Sequence, residues 1–133
     1  MGDTLTALAG FAAWYVVLTI VRGLFRMGRI VGGKAVNSFA VSGSDLPGLG
    51  ERLTRARDNC YETLPIFIAL AVVAYATNQL AITDPLAMWV LYARIGQSLT
   101  HVISTSVPAV LVRANLFFLQ MLVYLYWSFR LLA

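Results

Sequence analysis

Hydrophobic residues dominate four segments of the chain, and charged residues are almost confined to the stretches between them. No residue is charged between Asp3 and Arg22, nor between Glu62 and Asp84. About 20 apolar residues are needed for a helix to cross the hydrocarbon core, and in lipid a helix bonds its own backbone groups internally. The pattern predicts an all-α integral membrane four-helix bundle. Its predicted spans are residues 4–21, 63–82, 85–106 and 113–131, all within one domain, residues 1–133.

The composition supports lipid, rather than water, as the solvent of this chain. Of its 133 residues 59% are hydrophobic and 12% charged, whereas a soluble domain carries about 25% charged residues. The net charge of +4 would suggest nucleic acid as a partner of a soluble protein. Here the basic residues flank the spans, so we expect membrane lipid as a partner and no nucleic acid. With one cysteine, Cys60, and one histidine, His101, the chain predicts no metal site.

The stretches between the spans differ sharply in charge. The loop at residues 22–58 holds seven of the ten Lys and Arg residues, and the turn at residues 78–84 holds none. The positive-inside rule places the basic loop in the cytoplasm and both termini outside. Arg130 argues mildly against this orientation. The second helix is expected to begin inside the loop, with Pro47 in its first turn and Ser44 or Asp45 as its cap.

Polar residues recur at one end of the last three spans. Arg55, Asn59 and Glu62 follow i, i+4, i+7 spacing and share a helix face. Arg94 and His101 lie on the third span, with Gln97 and Ser98 between them, and Arg113 opens the fourth.

A charge within a span needs a partner, which leaves two interpretations of these residues. In one, Glu62 forms a structural ion pair with Arg94 or Arg55. In the other, the surplus of arginines attracts a carboxylate- or phosphate-bearing ligand. A lone histidine such as His101 is more often a satisfied core residue than a ligand.

The same residues resemble the signatures of the MAPEG family, the membrane-associated proteins of eicosanoid and glutathione metabolism. Arg55, Asn59 and Glu62, followed by Pro65 and Phe67, resemble the family's second-helix motif. The likeness extends to the third and fourth spans and covers nearly the whole chain. It implies a homotrimer that binds glutathione as a co-substrate between neighbouring subunits. It also implies a role for each matching residue: Arg113 stabilises the thiolate as the catalytic residue, and Arg55, Asn59, Glu62, Arg94 and His101 form the glutathione-binding set.

Two functions from different classes follow from this likeness. The first is a bacterial-type, inner-membrane glutathione transferase or peroxidase that acts on lipophilic electrophiles by thiolate attack. The second is a non-catalytic scaffold or accessory subunit of a membrane complex, whose basic loop binds anionic lipid or a partner protein. The first is favoured because the chain retains all of Arg55, Asn59, Glu62, Arg94 and Arg113. It is weakened by Asp58 before the motif's asparagine and by Phe117, where some members carry a tyrosine. A small transporter is disfavoured because the chain lacks a broken-helix pair or inverted repeat.

Overall fold

The computed structural model describes all 133 residues, which form four helices and no strand. The helices are α1 (Asp3–Val31), α2 (Leu49–Ala76), α3 (Leu80–Ile103) and α4 (Val107–Leu132). The predicted all-α four-helix bundle is therefore confirmed. By length and composition α1, α2 and α4 could each cross a membrane. The third helix is not in that set, because the polar residues in its second half lower its mean hydropathy.

The helices are arranged with α2 and α3 at the centre of the bundle. Each of these two helices contacts all the others, whereas α1 and α4 do not contact one another. An aromatic cluster joins the outer helices through α2: the Phe67 ring lies 5.9 Å from Phe11 on α1 and 5.7 Å from Trp127 on α4. Phe11, Phe67 and Trp127 are fully buried. Aromatic contacts of this kind add about 0.5–1.5 kcal/mol each beyond the area that they bury.

The helix ends differ from the sequence-based expectations in several places. Helix α1 continues ten residues beyond the predicted span, to Val31. The predicted start of α2 is wrong: the helix begins at Leu49 after Gly48, whose φ of 82° suits glycine, and no side chain caps it. Residues 63–82 do not form one helix, because α2 ends at Ala76 and Asn78 adopts a φ of 57°. The third and fourth helices begin earlier than their predicted spans, at Leu80 and Val107.

One carboxylate ties the start of α1 to α3. Asp84 accepts hydrogen bonds from the Thr4 backbone N–H at 2.9 Å and from the Thr4 hydroxyl at 2.6 Å. The Thr4 hydroxyl also lies 2.7 Å from that of Thr83. The first N–H groups of a helix have no partner within the helix, and a carboxylate there is also favoured by the helix dipole. Asp84 thus caps α1 from a different helix.

The outer surface of the bundle is apolar. Only 27 of the 133 residues are buried within the chain, and large hydrophobic side chains such as Ile20, Leu122 and Phe129 are more than half exposed. Soluble monomers rarely expose apolar patches of this extent. The surface therefore suits contact with lipid or with further protein chains.

Candidate functional site

The main cleft lies at the end of the bundle where α2 and α4 begin and α3 ends. It has a volume of about 490 Å³ and receives side chains from all three helices. Its lining is Arg55, Asp58, Asn59, Glu62, Gln97, His101, Val110, Arg113, Ala114, Phe117 and Phe118. The cleft thus brings together five of the six candidate residues from the sequence; Arg94 is the exception.

The polar wall on α2 carries both signs of charge. Arg55 and Glu62 are exposed along the cleft. Arg55 donates to Glu51, its neighbour one helical turn away, at 2.6 Å, and Glu62 has no ion-pair partner in the chain. Asp58 also lines the cleft and pairs with Arg57 at 2.8 Å. The ion pair of Glu62 with Arg94 or Arg55, one of the two interpretations from the sequence, is therefore absent. The lining holds two arginines and two carboxylates rather than the cationic surplus that the sequence count predicted.

His101 joins two of the candidate residues across the cleft floor. Its Nδ1 lies 3.3 Å from Arg113 Nη1, and its Nε2 lies 3.1 Å from the Asn59 amide. A guanidinium group can only donate, so Nδ1 accepts and carries no proton. The neutral ring then holds its proton on Nε2. This N–H can donate only to an acceptor, so the oxygen of the Asn59 amide, rather than its nitrogen, faces Nε2. His101 therefore contributes to the site by holding Arg113 in place.

Arg94 lies behind the cleft rather than in its wall. It is fully buried, its guanidinium carbon lies 5.3 Å from the centre of the Phe11 ring, and Nη1 donates to the Asn59 carbonyl at 3.4 Å. Nε and Nη2 are buried without a hydrogen-bond partner. The cation–π contact with Phe11 places this arginine against α1, and no ion pair joins it to Glu62. Within the chain Arg94 donates to the Asn59 carbonyl and does not line the cleft.

Two glutamines form a hydrogen-bonded relay. The sequence analysis placed Gln97 in the polar group of the third span, but it did not identify Gln120 as part of the site. Gln120 is buried and donates from Nε2 both to the Leu116 carbonyl at 2.9 Å and to Gln97 Oε1 at 3.0 Å. The Leu116 carbonyl can only accept, which determines the orientation of the Gln120 amide and, through it, that of Gln97. Gln97 lines the cleft, and its Nε2 has no partner in the chain. The relay thus presents an amide donor to the cleft.

The wall formed by α4 is apolar apart from Arg113. Val110, Ala114, Phe117 and Phe118 line it, and Phe118 is 66% exposed towards the outside of the bundle. The cleft therefore has a polar side built by α2 and α3 and an apolar side that is open laterally. Phe117 supplies no hydroxyl to the site.

The remaining reactive groups do not add a second centre. No group of three or more His, Cys, Asp and Glu side chains is placed to hold a metal ion. Cys60 is buried on α2, with its Sγ 3.5 Å from the Ser98 hydroxyl. It does not line the cleft.

Comparison with known proteins gives one match. The model of the MAPEG family matches residues 4–133, almost the whole chain. No curated protein and no solved structure matches the chain significantly.

Proposed function

This chain belongs to the MAPEG family, and on that premise we propose that it is a membrane-bound glutathione-dependent transferase or peroxidase acting on lipophilic electrophiles. The observation that carries the proposal is the position of Arg113. Its guanidinium group is held by His101 where the polar and apolar sides of the cleft meet. A thiol group bound there lies beside a fixed cation and faces an apolar space.

The charges of the cleft are compatible with glutathione, which has two carboxylates and one ammonium group. Arg55 and Arg113 can each receive a carboxylate or a thiolate, and Glu62, which has no partner in the chain, can receive the ammonium group. Asn59 and Gln97 add neutral polar groups to the same wall. A purely cationic cleft would leave the ammonium group of the tripeptide without a partner, so the mixed lining favours this ligand over a simple anion.

Arg113 has a defined electrostatic role in the proposed mechanism. A free thiol has a pKa near 8.5, and a neighbouring cation lowers it, so that more of the thiol is ionised at neutral pH. The thiolate sulfur then bonds to an electrophilic carbon, and the leaving group departs with the electron pair. With a hydroperoxide, sulfur attacks oxygen, the O–O bond breaks, and the alkoxide takes a proton from water. A second glutathione then displaces water from the glutathione sulfenic acid and forms the disulfide.

The lateral opening of the cleft supports a lipophilic second substrate. Phe117 and Phe118 lie on the side of α4, and the outer surface of the bundle is apolar. A hydrophobic electrophile dissolved in the bilayer would reach the thiolate along this wall without crossing water. Holding the electrophile close to the sulfur in a reactive orientation then raises the rate of thiolate attack.

The assembly and the membrane placement are part of the same proposal. We propose a homotrimer in the bacterial inner membrane, with both termini outside and the basic loop in the cytoplasm. Arg55 and Glu62 are exposed along the open side of the cleft, where a neighbouring subunit would complete the binding site. Native mass spectrometry of the purified protein measures the number of subunits directly, and a monomer with bound glutathione would contradict a shared site.

Glutathione binding to the detergent-purified protein, measured by calorimetry together with thiolate absorbance, tests the function. Wild type is expected to bind and to show thiolate, and Arg113→Ala to bind without thiolate. Arg130→Ala is the matched control, because Arg130 is exposed at the end of α4 remote from the cleft and contacts only Tyr126. Absence of binding at millimolar glutathione would overturn the proposal.

One observation favours a second candidate, a non-catalytic accessory subunit. Phe117 gives the cleft no hydroxyl, so no hydroxyl donor beside Arg113 assists in stabilising the thiolate. An accessory subunit would bind glutathione or a lipid without forming thiolate. The absorbance measurement on wild type separates the two candidates.

A further inference from the structure

The end of α1 beyond its predicted span has a mixed apolar and basic surface. About 20 residues cross a hydrocarbon core of about 30 Å, and three to five more cross the headgroup layer. A helix that enters lipid near Thr4 therefore reaches the outer edge of the headgroups at roughly residue 28. Helix α1 ends at Val31, so the segment after Leu24 crosses the headgroup layer, where phosphate groups are found, and the last turn lies at the outer edge of that layer.

An apolar stripe continues along this segment on the side away from the bundle. Leu24, Met27 and Val31 follow i, i+3, i+7 spacing and are 60%, 61% and 89% exposed. Side chains at this spacing share a helix face. They extend the exposed row of Val17 and Ile20. Acyl chains can therefore follow the part of this row that precedes the headgroup layer, up to about Leu24.

Beside the stripe lies a polar niche of about 370 Å³, lined by Gly28, Arg29, Gly32 and Lys34 and by no hydrophobic residue. Leu24, Gly28 and Gly32 stand in one row at i, i+4, i+8, so the niche borders the apolar stripe. A Cβ added at Gly28 would meet no atom within 4 Å. Gly28 thus leaves open space next to two cations.

Most of the basic residues near this niche are already engaged. Arg22 and Arg26 donate to the carbonyls of Val41 and Ala40 and so hold the loop against α1. Lys34 pairs with Asp45 at 3.2 Å. Burial opposes ionisation of Asp45, but the hydrogen bond and charge of Lys34, together with backbone hydrogen bonds at Ala40 and Asp45, outweigh it, so the pKa of that carboxyl lies below its ordinary value.

Arg29, by contrast, is exposed and contacts no partner in the chain. Across residues 22–50 four cations face one carboxylate, so the surface remains positive. Arg29 is the cation left to bind a ligand.

We propose that this niche binds the phosphate of an anionic phospholipid, with Arg29 as its main ligand and the acyl chains along Val17, Ile20 and Leu24. The apolar stripe next to the cationic niche favours a lipid over a free phosphate ion. A free phosphate ion would use the positive charge but would make no contact with the stripe. Basic residues at a membrane surface attract anionic lipid by an amount that corresponds to about fivefold in affinity for each charge. The proposal does not depend on glutathione binding.

Native mass spectrometry of the full-length protein, with phosphatidylglycerol or phosphatidylcholine added, tests this site. Wild type is expected to retain phosphatidylglycerol preferentially. Arg29→Gln should weaken that retention about fivefold, and Gly28→Leu should weaken it without changing the charge, because it fills the niche. Arg130→Gln is the matched control, since it removes the same charge from another exposed site.

Three outcomes would overturn the proposal. Equal retention of the two lipids would exclude a headgroup site, and an equal loss in Arg130→Gln would show an unspecific effect of net charge. Full displacement of the lipid by millimolar glycerol phosphate would show a site for free phosphate. Circular dichroism confirms that each variant keeps its helix content, so a loss of retention reports on the site.

Discussion

The sharpest prediction concerns His101 as the residue that positions Arg113. The structure places His101 Nδ1 3.3 Å from Arg113 Nη1, and His101→Phe keeps a ring in the same space while removing the acceptor. Arginine is long and flexible, so without that acceptor its guanidinium group is free to turn towards solvent. We expect the stabilisation of the bound thiolate to fall with little change in the affinity for glutathione.

The size of the effect follows from Coulomb's law. A cation about 4 Å from the thiolate stabilises it by about 4 kcal/mol at an effective dielectric constant of about 20, and one at about 8 Å by about 2 kcal/mol. The difference of about 2 kcal/mol corresponds to about 1.5 pKa units. We therefore expect the apparent pKa of the bound glutathione thiol to rise by about 1.5 units in His101→Phe.

Thiolate absorbance as a function of pH, with glutathione saturating, measures this shift. His101→Gln is the matched variant, because its amide oxygen can accept from Arg113 and should restore part of the effect. Arg113→Ala removes the cation altogether and sets the upper limit of the rise in the thiol pKa. The reasoning is refuted if His101→Phe leaves the thiol pKa at the wild-type value while Arg113→Ala raises it, since Arg113 would then hold its position without His101.

Three further predictions test other parts of the structure. Gln120→Leu should weaken glutathione binding by about two- to tenfold, the value of one neutral hydrogen bond. It should have no further effect on binding in a Gln97→Leu background, and additive losses of affinity in calorimetry would contradict the relay. Asp84→Ala should lower the free energy of unfolding in detergent by about 2 kcal/mol, because Thr4 loses its charged acceptor; an unchanged denaturation midpoint would show that the cap is unimportant. Glu62→Gln should weaken binding of glutathione but not of an analogue without the α-amino group, and equal losses for both ligands in the same assay would exclude Glu62 as the ammonium partner.

Much of the fold followed from the sequence, because in lipid both the length and the type of a span are constrained. Charge-free stretches such as residues 4–21 predict helices wherever they occur, since no other local structure satisfies the backbone without water. The helix ends were less predictable. Gly48 and Asn78 begin or end helices at positions where the backbone has a positive φ, and α1 extends ten residues past Val21, the last residue of its charge-free stretch.

The sequence by itself determined which residues the site draws on. Helical spacing places Arg55, Asn59 and Glu62 on one face, and alternating helix direction brings that face to the end of the bundle where His101 and Arg113 lie. Helix periodicity is local, so residues a few positions apart are related before any tertiary contact forms.

Only the tertiary structure decided the partners of these residues. Arg55 is engaged by Glu51 on its own helix, and Arg94 turns away from the cleft onto Phe11, which left the expected ion pair with Glu62 unformed. Gln120 stands alone among apolar residues in the sequence and gains its role only because α3 places Gln97 3.0 Å away. Partner choice depends on distances between helices, which helical spacing along one segment does not encode.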